Sequence, residues 1–254
     1  MELIDTHCHL DVSEFDPDRD AVLGRARSAG VTAIVVPAIH RRGWPGLLAF
    51  CDRNPELHPA LGLHPVYLDQ HRDADIPALE RTLAERRPVA VGEIGLDFFV
   101  RELDRDRQQS LFEAQLEMAR AADLPVLLHA RKSHEQVLAT LRRIRVRGGI
   151  AHAFSGGLEE ARRYRELGFK LGFGGMLTFE RSNKLRRLAA ELPIDAIVLE
   201  TDAPDLTVAA HRGERNSPAY LPDVLAALAE VREADPAELA AQTTRNARDL
   251  LGLA

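Results

Sequence analysis

The chain has 254 residues, 45% hydrophobic and 28% charged, with a formal net charge of −6. This composition is ordinary for a soluble globular protein. The acidic balance argues against a protein that coats nucleic acid with a basic surface, but not against an enzyme that needs positive charge only at its site. The sequence contains no run of about eighteen apolar residues, so we expect no membrane span.

The cysteines and the N-terminus both bear on the compartment. Cys8 and Cys51 are too few for a disulfide framework, and this count is typical of a reducing cytoplasm. The N-terminus lacks the basic region and the apolar stretch of a signal peptide. We therefore expect a cytoplasmic protein without membrane contact, and nothing in the sequence indicates an obligate protein partner.

Short apolar runs rich in Val, Ile and Leu alternate with longer amphipathic stretches along the whole chain. The predicted strands are residues 3–10, 31–39, 58–63, 89–94, 125–129, 149–153, 168–172 and 196–200. The predicted helices are residues 17–29, 43–53, 76–86, 105–122, 133–145, 158–167, 181–191 and 218–234, and a last helix covers 236–251.

Strands that alternate with helices and are almost continuously apolar predict an α/β fold with a parallel sheet covered by helices. Eight such units at this length predict a closed (β/α)8 TIM barrel with an extra C-terminal helix. The absence of a linker or repeat predicts one domain over residues 1–254. A seven-stranded variant and an open doubly wound sheet are the alternatives.

His7 and His9 lie two residues apart in the first predicted strand. Because a strand turns alternate side chains to opposite faces, both imidazoles share one face and Cys8 takes the other. Two imidazoles on one face can reach one metal ion. The pair alone is weak evidence, so the rest of the chain must supply further ligands.

Polar residues end most of the later strands. They are His64 after strand three, Glu93 in strand four, His129 and Arg131 at strand five, His152 in strand six and Asp202 after strand eight. A barrel gathers such residues at its C-terminal rim, where active sites lie. Taken singly, His129 can be a hydrogen-bonded core residue and Asp202 a helix cap. A buried carboxylate such as Glu93 is costly unless it is paired or binds a metal.

Four imidazoles and two carboxylates suit divalent ions such as Zn²⁺ or Mn²⁺, with Mg²⁺ as a further candidate. Six ligands exceed the four of a tetrahedral site, which indicates two ions with Glu93 as a bridge. A pair of ions can activate water and stabilise a leaving oxygen in phosphoryl transfer. Asp202, near such a water, can take its proton.

Seven motifs in this order resemble the TatD family of metal-dependent deoxyribonucleases, a branch of the amidohydrolase-like barrels. They are DTHCHLD (5–11), GLHP (62–65), VGEIGLD (91–97), PVLLHAR (125–131), HAFSG (152–156), ETDAP (200–204) and RNSP (215–218). The resemblance implies a hydrolase barrel whose metal site comprises His7, His9, Glu93, His129, His152 and Asp202. It also implies phosphodiester hydrolysis on DNA, often as a 3′-to-5′ exonuclease that favours single strands.

Substrate contacts follow from position at the rim. We expect Arg131, Arg215 and His64 to contact phosphate, since arginine binds phosphate oxygens well. The chain departs from the family where Asp205 replaces a common apolar or aromatic residue, and where Phe98 and Phe99 replace a common tyrosine pair.

Three other functions compete with the nuclease hypothesis. An amidohydrolase cleaving a C–N or ester bond often bridges its metals with a modified lysine after strand four, where this chain has Glu93. A phosphomonoesterase is a second alternative. A non-enzymatic binder is a third, but it has no use for six converging ligands.

Overall fold

The computed structural model describes residues 1–253. Residue 254, the last of the predicted domain, lies outside the described range. In residues 1–253, eight parallel strands form one sheet in which each strand pairs with the next one along the chain. The sheet nearly closes because the Thr6 amide donates to the Leu199 carbonyl at 3.0 Å. The (β/α)8 TIM barrel is therefore confirmed, and the open doubly wound alternative is wrong.

The elements alternate as predicted. The strands are β1 (Leu3–Asp5), β2 (Val31–Pro37), β3 (Leu57–Leu61), β4 (Ala90–Asp97), β5 (Val126–Arg131), β6 (Gly149–Ala151), β7 (Phe169–Phe173) and β8 (Ile197–Leu199). The helices are α1 (Arg19–Ser28), α2 (Trp44–Arg53), α3 (Asp75–Arg86), α4 (Arg105–Ala122), α5 (His134–Arg143), α6 (Leu158–Glu166), α7 (Asn183–Glu191), α8 (Leu221–Arg232) and α9 (Pro236–Leu251). Within the described residues, no helix is both long and apolar enough to cross a membrane.

Strand β1 is shorter than predicted. It ends at Asp5, so His7 and His9 lie beyond the strand and not inside it. Beyond Asp5, the Cys8 amide donates to the Val35 carbonyl within β2, and the His9 amide donates to the Ala203 carbonyl in the loop after β8. Contacts with β2 and with this loop therefore shape the segment that carries His7 and His9. Cys8 is fully buried in the apolar core.

An apolar layer fills the barrel where the strands begin. Its members are Ile4, Ala33, Val35, Ala60, Ala90, Leu127, Ile150 and Val198, joined by Ala247 and Leu251 of α9. Helix α9 is fixed there because the Asn246 amide donates to the carbonyls of Ile194 and Ile197, both at 2.7 Å. The extra C-terminal helix thus covers this end of the barrel and leaves the other end open.

Candidate metal centre

The six predicted ligands meet at the end of the barrel where the strands finish. Their side chains form three overlapping groups, in each of which the potential ligand atoms lie within 4.8 Å of one another. The groups are His7 with His9 and Asp202, His7 with Glu93 and His152, and His64 with Glu93 and His129. The structure therefore brings together all six residues, and His64 with them.

One oxygen of the Glu93 carboxylate faces the loop after β1. Glu93 Oε2 lies 3.1 Å from His7 Nε2 and 3.4 Å from His9 Nε2. Asp202 Oδ1 lies 3.7 Å from both of these nitrogens. We call this set of donors the His7 side of the centre.

The other Glu93 oxygen faces β5 and β6. Glu93 Oε1 lies 2.9 Å from His152 Nε2 and 3.0 Å from His129 Nδ1. His64 Nε2 approaches the same oxygen at 3.1 Å. We call His129, His152 and Oε1 the His129 side of the centre.

The spacing of the imidazole nitrogens fits a bound divalent ion. His7 Nε2 and His9 Nε2 are 3.3 Å apart, and so are His129 Nδ1 and His152 Nε2. Ligand atoms bound tetrahedrally at zinc–nitrogen distances would lie about 3.4 Å from each other. Each side of the centre thus offers a pair of imidazoles at ligand spacing, with one carboxylate oxygen between them.

Outer hydrogen bonds orient two of the imidazoles. Nδ1 of His9 lies 3.3 Å from the Pro37 carbonyl, and Nε2 of His129 lies 2.9 Å from Asp97 Oδ2. Because carbonyl and carboxylate oxygens only accept, we assign a proton to each of these nitrogens. Once the ring has lost its second proton, the other nitrogen can present its lone pair to the centre, as in most protein metal sites.

Sequence reasoning missed Asp97 as an orienting residue. The signal was present, because Asp97 follows Glu93 by four residues in the same strand and period-two alternation places both on one face. Glu200 was also missed. It is fully buried, accepts from the Ala153 amide, and its Oε1 lies 3.8 Å from His152 Nδ1.

His64 is placed to donate a hydrogen bond. Its Nδ1 accepts from the Val66 amide at 3.1 Å, so the neutral ring carries its proton on Nε2, which points at Glu93. Burial lowers the pKa of His64 to about 4, which keeps the ring neutral. In this form His64 has no lone pair for a metal ion, and it can offer an N–H to an anion.

The charged groups of the centre shift one another's pKa values. Burial opposes ionisation of Glu93, but the surrounding imidazoles outweigh it and hold the pKa of this carboxyl well below its usual range. Burial likewise opposes the charged forms of His9 and His152, yet Glu93 and Asp202 raise their pKa values to about 9 and about 10. Burial raises the pKa of Asp202. An ion bound by these two imidazoles would have to displace a proton from each.

A buried hydrogen-bond cluster joins the segments that carry the His7 side. The Asp5 carboxylate accepts from the Thr201 amide at 3.0 Å, from the Thr201 hydroxyl at 2.5 Å and from the His7 amide at 3.2 Å. The Asn216 amide group donates to the carbonyls of Thr201 and Asp205. These bonds hold the end of β1 against the end of β8, which fixes His7 relative to Asp202.

Two of the three predicted substrate contacts line a cleft in the structure, and the third does not. His64 and Arg131 line a cleft of about 890 Å³ above the centre, and the Arg131 guanidinium lies 3.7 Å from the Phe99 ring centroid. Arg215 is not among the residues that line this cleft. It hydrogen-bonds to the Asp18 carboxylate at 2.8 and 2.9 Å.

The chain is similar to known proteins over almost its whole length. The family described as TatD related DNase matches residues 4–252. An uncharacterized metal-dependent hydrolase of Escherichia coli K12, YjjV, is 43% identical over 247 residues, covering 96% of this chain and 95% of that protein. The 3′-5′ ssDNA/RNA exonuclease TatD of Erwinia tasmaniensis is 33% identical over 259 residues, covering 99% of this chain and 100% of that protein.

The fold agrees with these matches. The crystal structure of Escherichia coli YjjV superposes with a TM-score of 0.96 at 40% identity, covering 99% of this chain and 98% of that one. Family, relatives and fold match over the same span that carries the histidine and carboxylate motifs. The chain therefore belongs to the TatD family of metal-dependent hydrolases and is an enzyme of the hydrolase class.

Proposed function

We propose that this protein is a metal-dependent phosphodiesterase that degrades DNA, with single strands as substrate and 3′-to-5′ polarity. The observation that carries the proposal is the division of the Glu93 carboxylate. Its two oxygens lie close to two different imidazole pairs, one on the His7 side and one on the His129 side. Such a bridge suits a pair of divalent ions, and paired ions are typical of phosphodiester hydrolysis.

In this proposal each side of the centre holds one ion. His7, His9 and Asp202 serve the first ion, His129 and His152 serve the second, and Glu93 is shared. The high share of imidazole favours Zn²⁺ or Mn²⁺ over Mg²⁺. His64 is left out of the ligand set because its Nε2 carries a proton.

The chain's own residues bind, orient and move a proton. Two bound ions would supply Lewis-acid stabilisation of the phosphate and lower the pKa of the attacking water. Asp202 is 14% exposed, whereas Glu93 is only 1% exposed, so Asp202 is the carboxylate that a water in the cleft can reach. Burial raises the pKa of Asp202, which makes it a stronger base for the proton of that water.

Two donors are placed for the phosphate oxygens. The single N–H of His64 lies on the floor of the cleft and now points at Glu93 Oε1, so a bound phosphate oxygen would compete with Glu93 for it. Arg131 offers a guanidinium from the rim. The planar guanidinium suits bidentate contact with a phosphate. The proposal omits Arg215, because its guanidinium is engaged by Asp18 and lies outside the cleft.

A substrate screen of the metal-reconstituted protein tests the proposal. It should compare single-stranded DNA, duplex DNA, RNA, a small phosphodiester, phosphomonoesters and cyclic amides. We expect a 5′-labelled single strand to give a ladder of shortened labelled products, and a 3′-labelled strand to release its label first. Turnover of amides or monoesters alone would overturn the proposal, and release of the 5′ label first would overturn the polarity.

Metal content tests the two-ion part separately. We expect two equivalents of a divalent ion per chain at full activity, measured by elemental analysis after gel filtration. The Glu93→Ala variant should lose both equivalents, because each ion would lose the shared carboxylate. Full activity with one equivalent would contradict the paired site and leave the hydrolase assignment intact.

A further inference from the structure

The rim of the cleft is charged unevenly. The sector that follows β5 and β7 carries Arg131, Arg181 and Lys184, whereas the sector that follows β1 and β8 carries Glu14 and Asp205. All five side chains are exposed. A polyanion that reaches the metal centre therefore meets a positive potential on one sector and a negative potential on the other.

Arg181 and Lys184 differ from the other cations of the same segment. Helix α7 also carries Arg186 and Arg187, which pair with Glu230 at 2.7 Å and with Glu191 at 3.9 Å. Across residues 1–253, Arg181 and Lys184 form no ion pair with a carboxylate. The cations that turn away from the cleft are thus neutralised, and those that line it keep their full charge for a ligand.

Lys184 is held in place without being neutralised. Its ammonium donates to the Ser155 carbonyl at 3.0 Å, which ties the start of α7 to the loop after β6. An ammonium has three hydrogens, so this bond leaves two donors free. Ser155 and His152 lie in the same short loop after β6, so this bond ties the ammonium to the loop that carries a member of the His129 side, and both line the cleft.

We propose that Arg181 and Lys184 form a subsite for the backbone phosphates of nucleotides that flank the scissile bond. This inference rests on the proposed phosphodiesterase function and deepens it, because it makes the substrate a polyanionic strand and assigns the side on which the strand leaves the centre. The acidic sector with Glu14 and Asp205 repels the same phosphates and so favours one path. The site selects for charge along a strand, with no base-specific contact required.

Salt-dependent binding tests the subsite without requiring turnover. A fluorescein-labelled oligothymidylate is titrated with the full chain in EDTA, and anisotropy gives Kd over a range of salt concentrations. Each phosphate neutralised on a single strand contributes about 0.7 to the slope of log Kd against log salt. The double variant Arg181→Gln with Lys184→Gln should therefore lower the slope by about 1.4 and weaken binding at low salt.

The matched control is Arg187→Gln, which removes one positive charge from α7 at a side chain paired with Glu191. We expect its slope to equal that of the unchanged protein. Circular dichroism melting of each variant checks that the barrel is intact. Equal slopes for the double variant and the control would overturn the subsite, and so would failure of the unchanged protein to bind the strand.

The small phosphodiester in the substrate screen separates this inference from the proposed function. It contains only the scissile phosphate, so its hydrolysis by the unchanged protein depends on the metal centre. Hydrolysis of the small diester together with an unaltered salt slope would remove the subsite and keep the phosphodiesterase. Salt-dependent binding that requires Arg181 and Lys184, without hydrolysis of any diester, would keep the strand-binding surface and remove the proposed reaction.

Discussion

The two ends of the barrel are built by the same strands, yet their chemistry is opposite. On β5, Leu127 belongs to the apolar layer covered by α9, and His129 two residues later belongs to the candidate metal centre. On β6, Ile150 and the adjoining His152 repeat this step. Residues two apart share one face of a strand, so neighbouring interior positions of one strand can be an apolar core residue and a candidate metal ligand.

This difference separates stability from chemistry within one fold. Burial of a Leu or Ile side chain stabilises the folded state by about 1.5–3 kcal/mol. Burial of charged groups destabilises it unless they are paired, as Glu93 is with its imidazoles. We therefore expect substitutions at the open end to reduce activity with little loss of stability, and substitutions at the α9 end to do the reverse.

The largest effect is expected for Asp202→Asn at the open end. The amide keeps the shape of the side chain but cannot take a proton, so kcat should fall by about 10³-fold or more. The melting temperature should stay near that of the unchanged protein. Full hydrolytic activity of a purified variant with verified metal content would show that Asp202 is not the base.

Leu251→Ala tests the other end of the barrel. Leu251 is 5% exposed in the layer beneath α9, and its truncation should lower the free energy of unfolding by about 2–5 kcal/mol. Turnover of the remaining folded protein should not change. Asp249→Ala, on the exposed face of the same helix, is the control for denaturant unfolding. Similar unfolding curves for both variants would contradict a stabilising role for the layer.

Metal affinity should depend steeply on pH. The pKa values of His9 and His152 are raised to about 9 and about 10, so both rings are protonated at neutral pH and must lose their protons to bind an ion. Affinity should therefore fall as the pH falls, about tenfold per pH unit for each proton displaced. Calorimetric titration of Zn²⁺ in buffers of different ionisation enthalpy measures the protons released. Zero release near pH 7 would show that the rings are already neutral.

Asp97→Asn should have a moderate effect at the open end. The neutral amide replaces a charged acceptor of the hydrogen bond from His129 Nε2, so the ring is held less firmly and is less basic. Loss of such an outer contact lowers metal affinity or activity by about 10–100-fold. Added metal should restore part of kcat if Asp97 acts through His129. A defect that excess metal leaves untouched would point to a different role.

The smallest effect is expected for Arg215→Gln. Because Arg215 hydrogen-bonds to Asp18 outside the cleft, kcat/KM should stay within about twofold of the unchanged protein. The Arg215 hydrogen bonds lower the pKa of the Asp18 carboxyl, so any stability they provide is present at neutral pH and is lost as the pH falls. Melting curves of both proteins should converge in acid. A large rise in KM would show that Arg215 contacts the substrate after all.

Much of the open end was predictable because its residues follow apolar runs. His129, His152 and Glu93 lie in or directly after strands, and the barrel fixes where strands end. The reasoning for His7 and His9 was wrong although the structure does bring the two rings together. The backbone after Asp5 is shaped by hydrogen bonds to β2 and to the loop after β8, which local alternation does not encode.

Contacts between loops distant in sequence could not be predicted from the sequence alone. Arg215 meets Asp18 across 197 positions of the chain, so its distance from the cleft is a tertiary property. Arg181 and Lys184 were not singled out for the same reason, because the start of α7 and the turn before it reach the cleft only in the folded barrel. Asp97 is different, since the sequence already placed it near the end of the strand that carries Glu93.

The hydrogen bonds between Asp5 and Thr201 have a consequence for the order of folding. They join residues 196 positions apart, so the His7 side forms only when the first and last strands meet. Such non-local contacts form late, because loop-closure entropy must be overcome before they stabilise the chain. A nascent chain that has not yet released β8 from the ribosome cannot assemble the centre. If this centre carries the proposed hydrolysis, activity requires closure of the barrel.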